Sequence, residues 1–93
     1  MARCPRTAEE AFKRLDKRLT KEEKQQIVSL DDMSELHFSL GMWIRNYWIY
    51  TGERENLESL LRDIGEAEFL IGDMASSAIL DAYQKHLRKK FLF

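Results

Sequence analysis

The stretch Leu36-His37-Phe38-Ser39-Leu40-Gly41-Met42-Trp43-Ile44-Arg45-Asn46-Tyr47-Trp48 constrains this chain more than any other. Met33, Leu36, His37, Leu40, Trp43, Ile44, Tyr47 and Trp48 fall at offsets 0, 3, 4, 7, 10, 11, 14 and 15, the spacing of one helix face. That spacing predicts a helix over about 32–50. Phe38, Met42 and Ile49 add apolar surface on a second side, so most of its faces are expected to be covered. Polar groups inside such a face, His37 and Arg45 among them, must find partners if they are buried. Gly41 in mid-helix costs about 1 kcal/mol relative to Ala, which argues for a close neighbour there. Thr51-Gly52 is the expected stop, with Gly52 supplying a left-handed cap.

Capping signatures mark off the other helices. Thr7-Ala8-Glu9-Glu10 pairs a hydroxyl that accepts from a first-turn amide with a Glu that reaches back. Ala8, Ala11, Phe12, Leu15 and Leu19 then recur at helical spacing and predict a helix over about 8–18, with Pro5 ahead of it in chain not yet helical. Thr20-Lys21-Glu22-Glu23 repeats the signature before a short helix over 21–28, Ile27 and Val28 inward. Ser29-Leu30-Asp31-Asp32 brings carboxylates to the start of the next helix. Leu57, Leu60, Leu61 and Ile64 mark the inner face of a helix over 53–64 stopped by Gly65. Residues 66–72 fit either a helical turn or a short buried extended piece. Asp73 reads as the N-cap of a last helix, 73–91, with a stripe of Ala75, Ile79, Ala82, Tyr83, His86, Leu87 and Lys90. The expected fold is all-α: a compact single-domain bundle, residues 1–93, of four to five helices around the long central helix.

Ninety-three residues suffice for one core that buries roughly 60–65% of the unfolded surface. One proline and four glycines leave few turns for a strand-rich alternative. The single cysteine, Cys4, excludes an internal disulfide and a Cys-based zinc site, and fits a reducing cytoplasm. No signal-peptide pattern follows Met1, and no apolar run approaches the roughly 20 residues of a membrane span. The net charge of −1 hides a division. Residues 1–24 hold eight Lys/Arg against five acids, residues 25–84 three against eleven, and residues 85–93 four against none. Either basic ends fold over an acidic middle and sit at helix C-termini, or the middle is an acidic face for a basic partner.

Both histidines, His37 and His86, fall on helix stripes. With Arg45, Asn46, Tyr47 and Asp73 they offer groups that an acid–base site uses, and equally groups that satisfy one another inside a core. No ligand pair at metal spacing is visible, and neither a metal nor a cofactor is expected. Arg45 reads as a cation held by Asp73 or by a Glu of 53–58, its stem beside Trp48. It reads equally as an anchor for a carboxylate, a phosphate or a partner protein. Phosphate is the weaker version, because no Gly-rich loop leads into a helix start. Trp43, Tyr47, Trp48 and Tyr50 have rings for stacking on bases, but their surroundings are acidic, so nucleic acid is not an expected partner. Ser76 and Ser77 have no base at a readable spacing.

Residues 36–46 resemble a family of small uncharacterised bacterial proteins whose pattern runs Leu-His-x-x-Leu-Gly-x-x-Ile-Arg-Asn. Thr7–Leu15 is similar to that family's opening Thr-x-Glu-Glu-Ala helix, and Asp73-Met74-Ala75-Ser76 to its Asp-x-Ala-Ser element before the last helix. The stretch 54–72 matches least. The resemblance carries no activity with it. It implies that His37, Gly41, Arg45, Asn46, Asp73 and Ser76 belong to one shared arrangement.

With no catalytic set in view, a non-enzymatic protein-binding module is expected, in its most concrete form an immunity- or antitoxin-type inhibitor of a basic toxin. Its candidate contact residues are His37, Arg45, Asn46, Trp48, Tyr50 and Asp73, with the aromatics of 48–50 at the surface. The alternative is a small ligand-binding protein or enzyme whose His37, Arg45, Asn46 and Asp73 converge on an internal pocket. A homodimer through Phe91, Leu92, Phe93 and the aromatic patch is the third possibility.

Overall fold

A computed structural model describes residues 2–91. Leu92 and Phe93 of the expected apolar tail lie outside the described residues. The chain runs through α1 (Ala8–Arg18), α2 (Lys21–Ser29), α3 (Ser34–Ile44) continued by a π-helical turn (Arg45–Ile49), α4 (Arg54–Asp63) and α5 (Gly72–Phe91). The fold is all-α, as the sequence predicts, with no strand among the described residues. The longest element is the C-terminal α5, which packs against α2, α3, the π turn and α4. The expected pairing of helix 32–50 with helix 73–91 is present, and the two run antiparallel: His37 meets Asp81 at one end and Arg45 meets Asp73 at the other.

Local chemistry explains most of the boundaries. Thr20 closes a full capping box, its hydroxyl accepting from the Glu23 amide (3.1 Å) while Glu23 accepts from the Thr20 amide (2.8 Å). At α1 only half the box forms. Thr7 Oγ1 accepts from the Glu10 amide, but the Glu10 carboxylate takes the Arg6 amide at 3.1 Å and Arg14 at 2.8 Å instead of reaching to Thr7. The C-terminal end of α2 is closed by side chains from α5. Gln84 Nε2 donates to the carbonyls of Ile27 (2.9 Å) and Leu30 (2.8 Å), and Arg88 donates to those of Val28 and Leu30, both at 3.0 Å. A cation at that end also complements the helix dipole.

The expected 32–50 helix changes pitch at Arg45. There the Tyr50 amide bonds to the Arg45 carbonyl at 2.8 Å, five residues back. Taking up an extra residue per turn rotates the side chains that follow out of the 3.6-residue register. Tyr47 stays against Trp43, ring centroids 5.3 Å apart, yet more than half of it is in solvent. Trp48 turns fully into the core with Ile44, Leu60, Ile79 and Leu80. The second apolar side of α3 is not covered as expected: Phe38 is 74% exposed and Met42 44%.

Gly52 is not a left-handed cap. The positive-φ glycines are Gly65, which stops α4 as predicted, and Gly72. Gly52 is demanded by space, since a Cβ there would overlap the Trp48 carbonyl oxygen and come within 2.9 Å of Cys4 Cβ. Cys4 and Pro5 are buried because the N-terminal arm is clamped onto α1 and α4. The Cys4 amide donates to Glu53 Oε1 at 3.0 Å, Asn56 Nδ2 donates to the Cys4 carbonyl at 3.0 Å, and Arg14 Nη1 donates to the Arg3 carbonyl at 2.7 Å. Residues 66–71 join α4 to α5 without a helix, with Phe69 half-buried under the Arg54 guanidinium, 4.5 Å above its ring.

Candidate functional site

The polar residues singled out in the central helix meet α5 in one row. His37, Gly41 and Arg45 are spaced four residues apart, so all three lie along the same side of α3. Arg45 Nη1 donates to Ser76 Oγ at 2.9 Å, and Arg45 Nε lies 3.2 Å from Asp73 Oδ1. Ser76 Oγ in turn donates to the Asp73 carbonyl at 3.1 Å. The Arg45 side chain is only 14% exposed whereas Asp73 is 86% exposed, so the cation is held from the inside and its counter-ion reaches in from water. Such a pair contributes little by itself; an exposed ion pair is worth about 0–1 kcal/mol. The hydrogen bond to buried Ser76 is what fixes the guanidinium.

Gly41 now has its reason. A Cβ at that position would come 3.2 Å from Arg45 Nη1, 3.6 Å from a Leu80 methyl and 3.7 Å from Ser76 Oγ. The close neighbour inferred from its helix cost is therefore the guanidinium and its serine partner.

At the other end of the row, His37 Nε2 lies 3.5 Å from Asp81 Oδ1. The nitrogen is shielded from solvent and makes no hydrogen bond, so the contact becomes an ion pair only when the imidazole is protonated. Asp81 gave no signal in the sequence beyond its place one helical turn after Ser77.

The structure brings together His37, Arg45 and Asp73, with Gly41 and Ser76 between them. It does not bring in Asn46, which is exposed and whose backbone carbonyl accepts from Thr51 Oγ1 at 2.8 Å. Trp48, expected at the surface, is 2% exposed and forms part of the core, so it is removed from the contact residues. Tyr50 is 64% exposed as expected, and its hydroxyl lies 3.5 Å from where a Cβ on Gly72 would sit. Asp73 does not cap α5 from outside: the helix begins one residue earlier at Gly72, and the Asp73 carboxylate goes to Arg45. His86 stacks on Phe12, ring centroids 4.6 Å apart, and takes no part in the row.

Beside this row lies apolar surface that is exposed where the sequence predicts it covered. Phe38, Met42 and Arg45 stand at i, i+4 and i+7 and so share one side of the helix, with Phe38 and Met42 exposed. Across the seam α5 exposes Met74, Asp73 and Asp81. A shallow cleft of about 430 Å³ runs along this outer side of α5, lined by Glu66, Asp73, Met74, Ser77 and Asp81. Neither His37 nor Arg45 lines it. Among the described residues no group of three or more His, Cys, Asp and Glu is gathered as a metal site.

A family model for a domain of unknown function, DUF6794, matches residues 4–87. The chain belongs to this family. Every residue of the His37–Asp81 row, and the N-terminal arm from Cys4 onward, lies inside the DUF6794 span. Comparison with curated proteins and with solved structures yields no match. No helix among the described residues is long and apolar enough to cross a membrane.

Proposed function

We propose that this member of the DUF6794 family is a non-enzymatic protein-binding module that holds a basic partner protein against its α3–α5 face, as an immunity or antitoxin inhibitor holds a toxin. The observation that carries the reading is the exposed pair Phe38 and Met42 beside a seam edged by Asp73 and Asp81. Large apolar side chains gathered on one face and rimmed by polar groups mark interaction surfaces. Methionine adds a polarizable side chain that adapts its shape to a partner. The acids of residues 25–84, eleven against three Arg, favour rapid encounter with a positively charged protein. In this reading the Leu36-His37…Ile44-Arg45-Asn46 pattern positions the face, and the setting is a bacterial cytoplasm, with Cys4 kept as a buried free thiol.

The second reading, a small ligand-binding protein or enzyme using His37, Arg45, Asn46 and Asp73, draws its support from the shielded and unpartnered Nε2 of His37. It is the weaker one, because Arg45 and Asp73 engage each other and Ser76, and Asn46 stands outside the row.

The test expresses the product of the reading frame beside this gene, alone and together with the chain. A growth arrest relieved by the chain is expected, with relief and direct binding lost on Phe38→Asp and retained on Arg62→Ala. Relief that survives Phe38→Asp, or a purified neighbour that does not bind, overturns the reading.

A further inference from the structure

We infer that the groove between α2 and α3 is a seat for the basic and apolar C-terminal segment, residues 85–93, of a second copy of this chain. The groove is separate from the α3–α5 face. It has a volume of about 460 Å³, a floor of Leu19, Ile27, Leu30 and Leu36, and Glu23, Asp32 and Glu35 along it, with no Lys or Arg in its lining. Past Leu36 it continues toward Trp43 as a second hollow of about 450 Å³, where Arg18, stacked over the Trp43 ring, closes the far end with a positive charge. Either hollow alone falls within the ~300–1,000 Å³ of clefts that hold ligands. Glu23, Asp32 and Glu35 are all exposed, so their charges are available to an incoming segment.

Residues 85–93 are the complement of that groove. The segment carries Lys85, Arg88, Lys89 and Lys90 with no acid, followed by Phe91-Leu92-Phe93; Arg88 is engaged with its own α2, which leaves the three lysines to face a partner. Lys85, Lys89 and Lys90 are exposed, and Phe91 at the end of α5 is 36% exposed. An apolar floor with an acidic rim is what an amphipathic basic segment fits, the apolar side chains giving burial and the charges orientation.

Placement argues for a second copy. Gln84 and Arg88 bond to the carbonyls of Ile27 and Leu30, the same two residues whose side chains floor the groove. The basic segment and the acidic groove therefore lie at one end of the domain, side by side. With the two side by side, a two-fold axis between copies lets each segment cover the other copy's groove, and such an assembly closes at two. Within one chain residues 85–91 belong to α5, and none of them lines the chain's own groove.

Sedimentation equilibrium of the full chain, from about 10 μM to about 1 mM, tests the inference. A dimer is expected whose dissociation constant rises at least about tenfold with Glu35→Lys, with Lys89→Glu and with Phe91→Ser. The double variant Glu35→Lys/Lys89→Glu is expected to recover the wild-type constant, and added salt to weaken the dimer. Circular dichroism confirms that each variant keeps its helices, so that a lost dimer is not a lost fold. A monomer throughout the range, a dimer indifferent to both charge reversals, or single reversals that the pair does not restore would each overturn the proposal. Because Phe38 and Met42 are untouched in these variants, failure here is distinct from failure of the α3–α5 reading.

Discussion

Helix α5 makes two polar seams, and they are built differently. Toward α2 its side chains go to backbone carbonyls: Gln84 and Arg88 together close the end of a helix, and Gln84 is buried. Toward α3 they meet other side chains, and solvent reaches the outer member of each pair, Asp73 and Asp81. Backbone groups have no freedom to leave, so the α2 seam is a fixed joint. The α3 seam is fixed at Arg45 and Ser76; farther along it His37 Nε2 is shielded from solvent without a hydrogen bond, and the carboxylates of Asp73 and Asp81 form its exposed edge. A fold spends its fixed joints on holding shape. In the proposed binding reading, the exposed edge beside Phe38 and Met42 is the part that offers a partner both apolar surface and charge.

The largest contrast this comparison predicts lies two residues apart, between Trp48 in the π turn and Tyr50 just past its end. Trp48→Ala should cost about 3–5 kcal/mol, because it empties a fully enclosed indole site. Tyr50→Ala should change stability by no more than about 0.5 kcal/mol. Urea unfolding of the two variants checks this, and a Tyr50→Ala cost near that of Trp48→Ala would move Tyr50 from the surface to the core. The next contrast is between the seams themselves. Gln84→Ala removes two hydrogen bonds and leaves a void at a buried position, for about 1–2 kcal/mol. Asp81→Asn, on the half-open edge, should cost less than about 0.5 kcal/mol. Equal losses at the two positions would break the distinction.

How far the sequence reveals this division follows from which forces are local. Capping of α2 by Thr20 and Glu23, the stop at Gly65 and the apolar stripe from Met33 to Ile44 depend on residues within a turn or two, and all were legible. The Arg45–Asp73 partnership was legible as one option because a buried cation needs a carboxylate. What escaped is what one helix does to another. The burial of Ser76, Leu80 and Gln84 on α5 widens its stripe beyond the one read from 3.6-residue spacing, because the helix is packed by α2 and α3 at once. The exposure of Phe38 and Met42 could not be read either, since an apolar residue carries no sign of whether a neighbour arrives to cover it. The π turn escaped as well: nothing in Arg45–Ile49 marks the extra residue that sends Tyr47 outward and leaves Trp48 inside.

Gly41 tests the one fixed point of the α3 seam. In the wild type, Gly41→Ala gains about 1 kcal/mol of helix propensity but pushes its Cβ to 3.2 Å from Arg45 Nη1, weakening the bond to Ser76. The net change should lie within about 1 kcal/mol of zero. In an Arg45→Met background the obstacle is gone, and the same substitution should stabilise by about 1 kcal/mol. A double-mutant cycle reads the difference, and additivity would show that the guanidinium is not what keeps position 41 bare.

The smallest effect concerns the N-terminal clamp, which belongs with the fixed joints because its bonds also run to the backbone. The Cys4 amide, together with the Glu53 and Arg3 amides, holds the Glu53 carboxyl below its ordinary value of 4.5. A carboxylate whose folded value is lowered adds stability that is complete above 4.5 and is lost as the pH falls through the lower, folded value. Acid should therefore loosen the arm. The Cys4 amide resonance, followed from about pH 6 to about pH 3, should move with Glu53 protonation in the wild type and stay flat in Glu53→Gln. The thiol gives an independent reading of the same joint. Burial, with the Glu53 charge as a second cause, pushes Cys4 up to about 12, so at neutral pH it should alkylate far more slowly than a free cysteine. Alkylation at the free rate would mean that the arm opens unaided, and the clamp would then rank with the half-open edge of α3 instead of with the α2 seam.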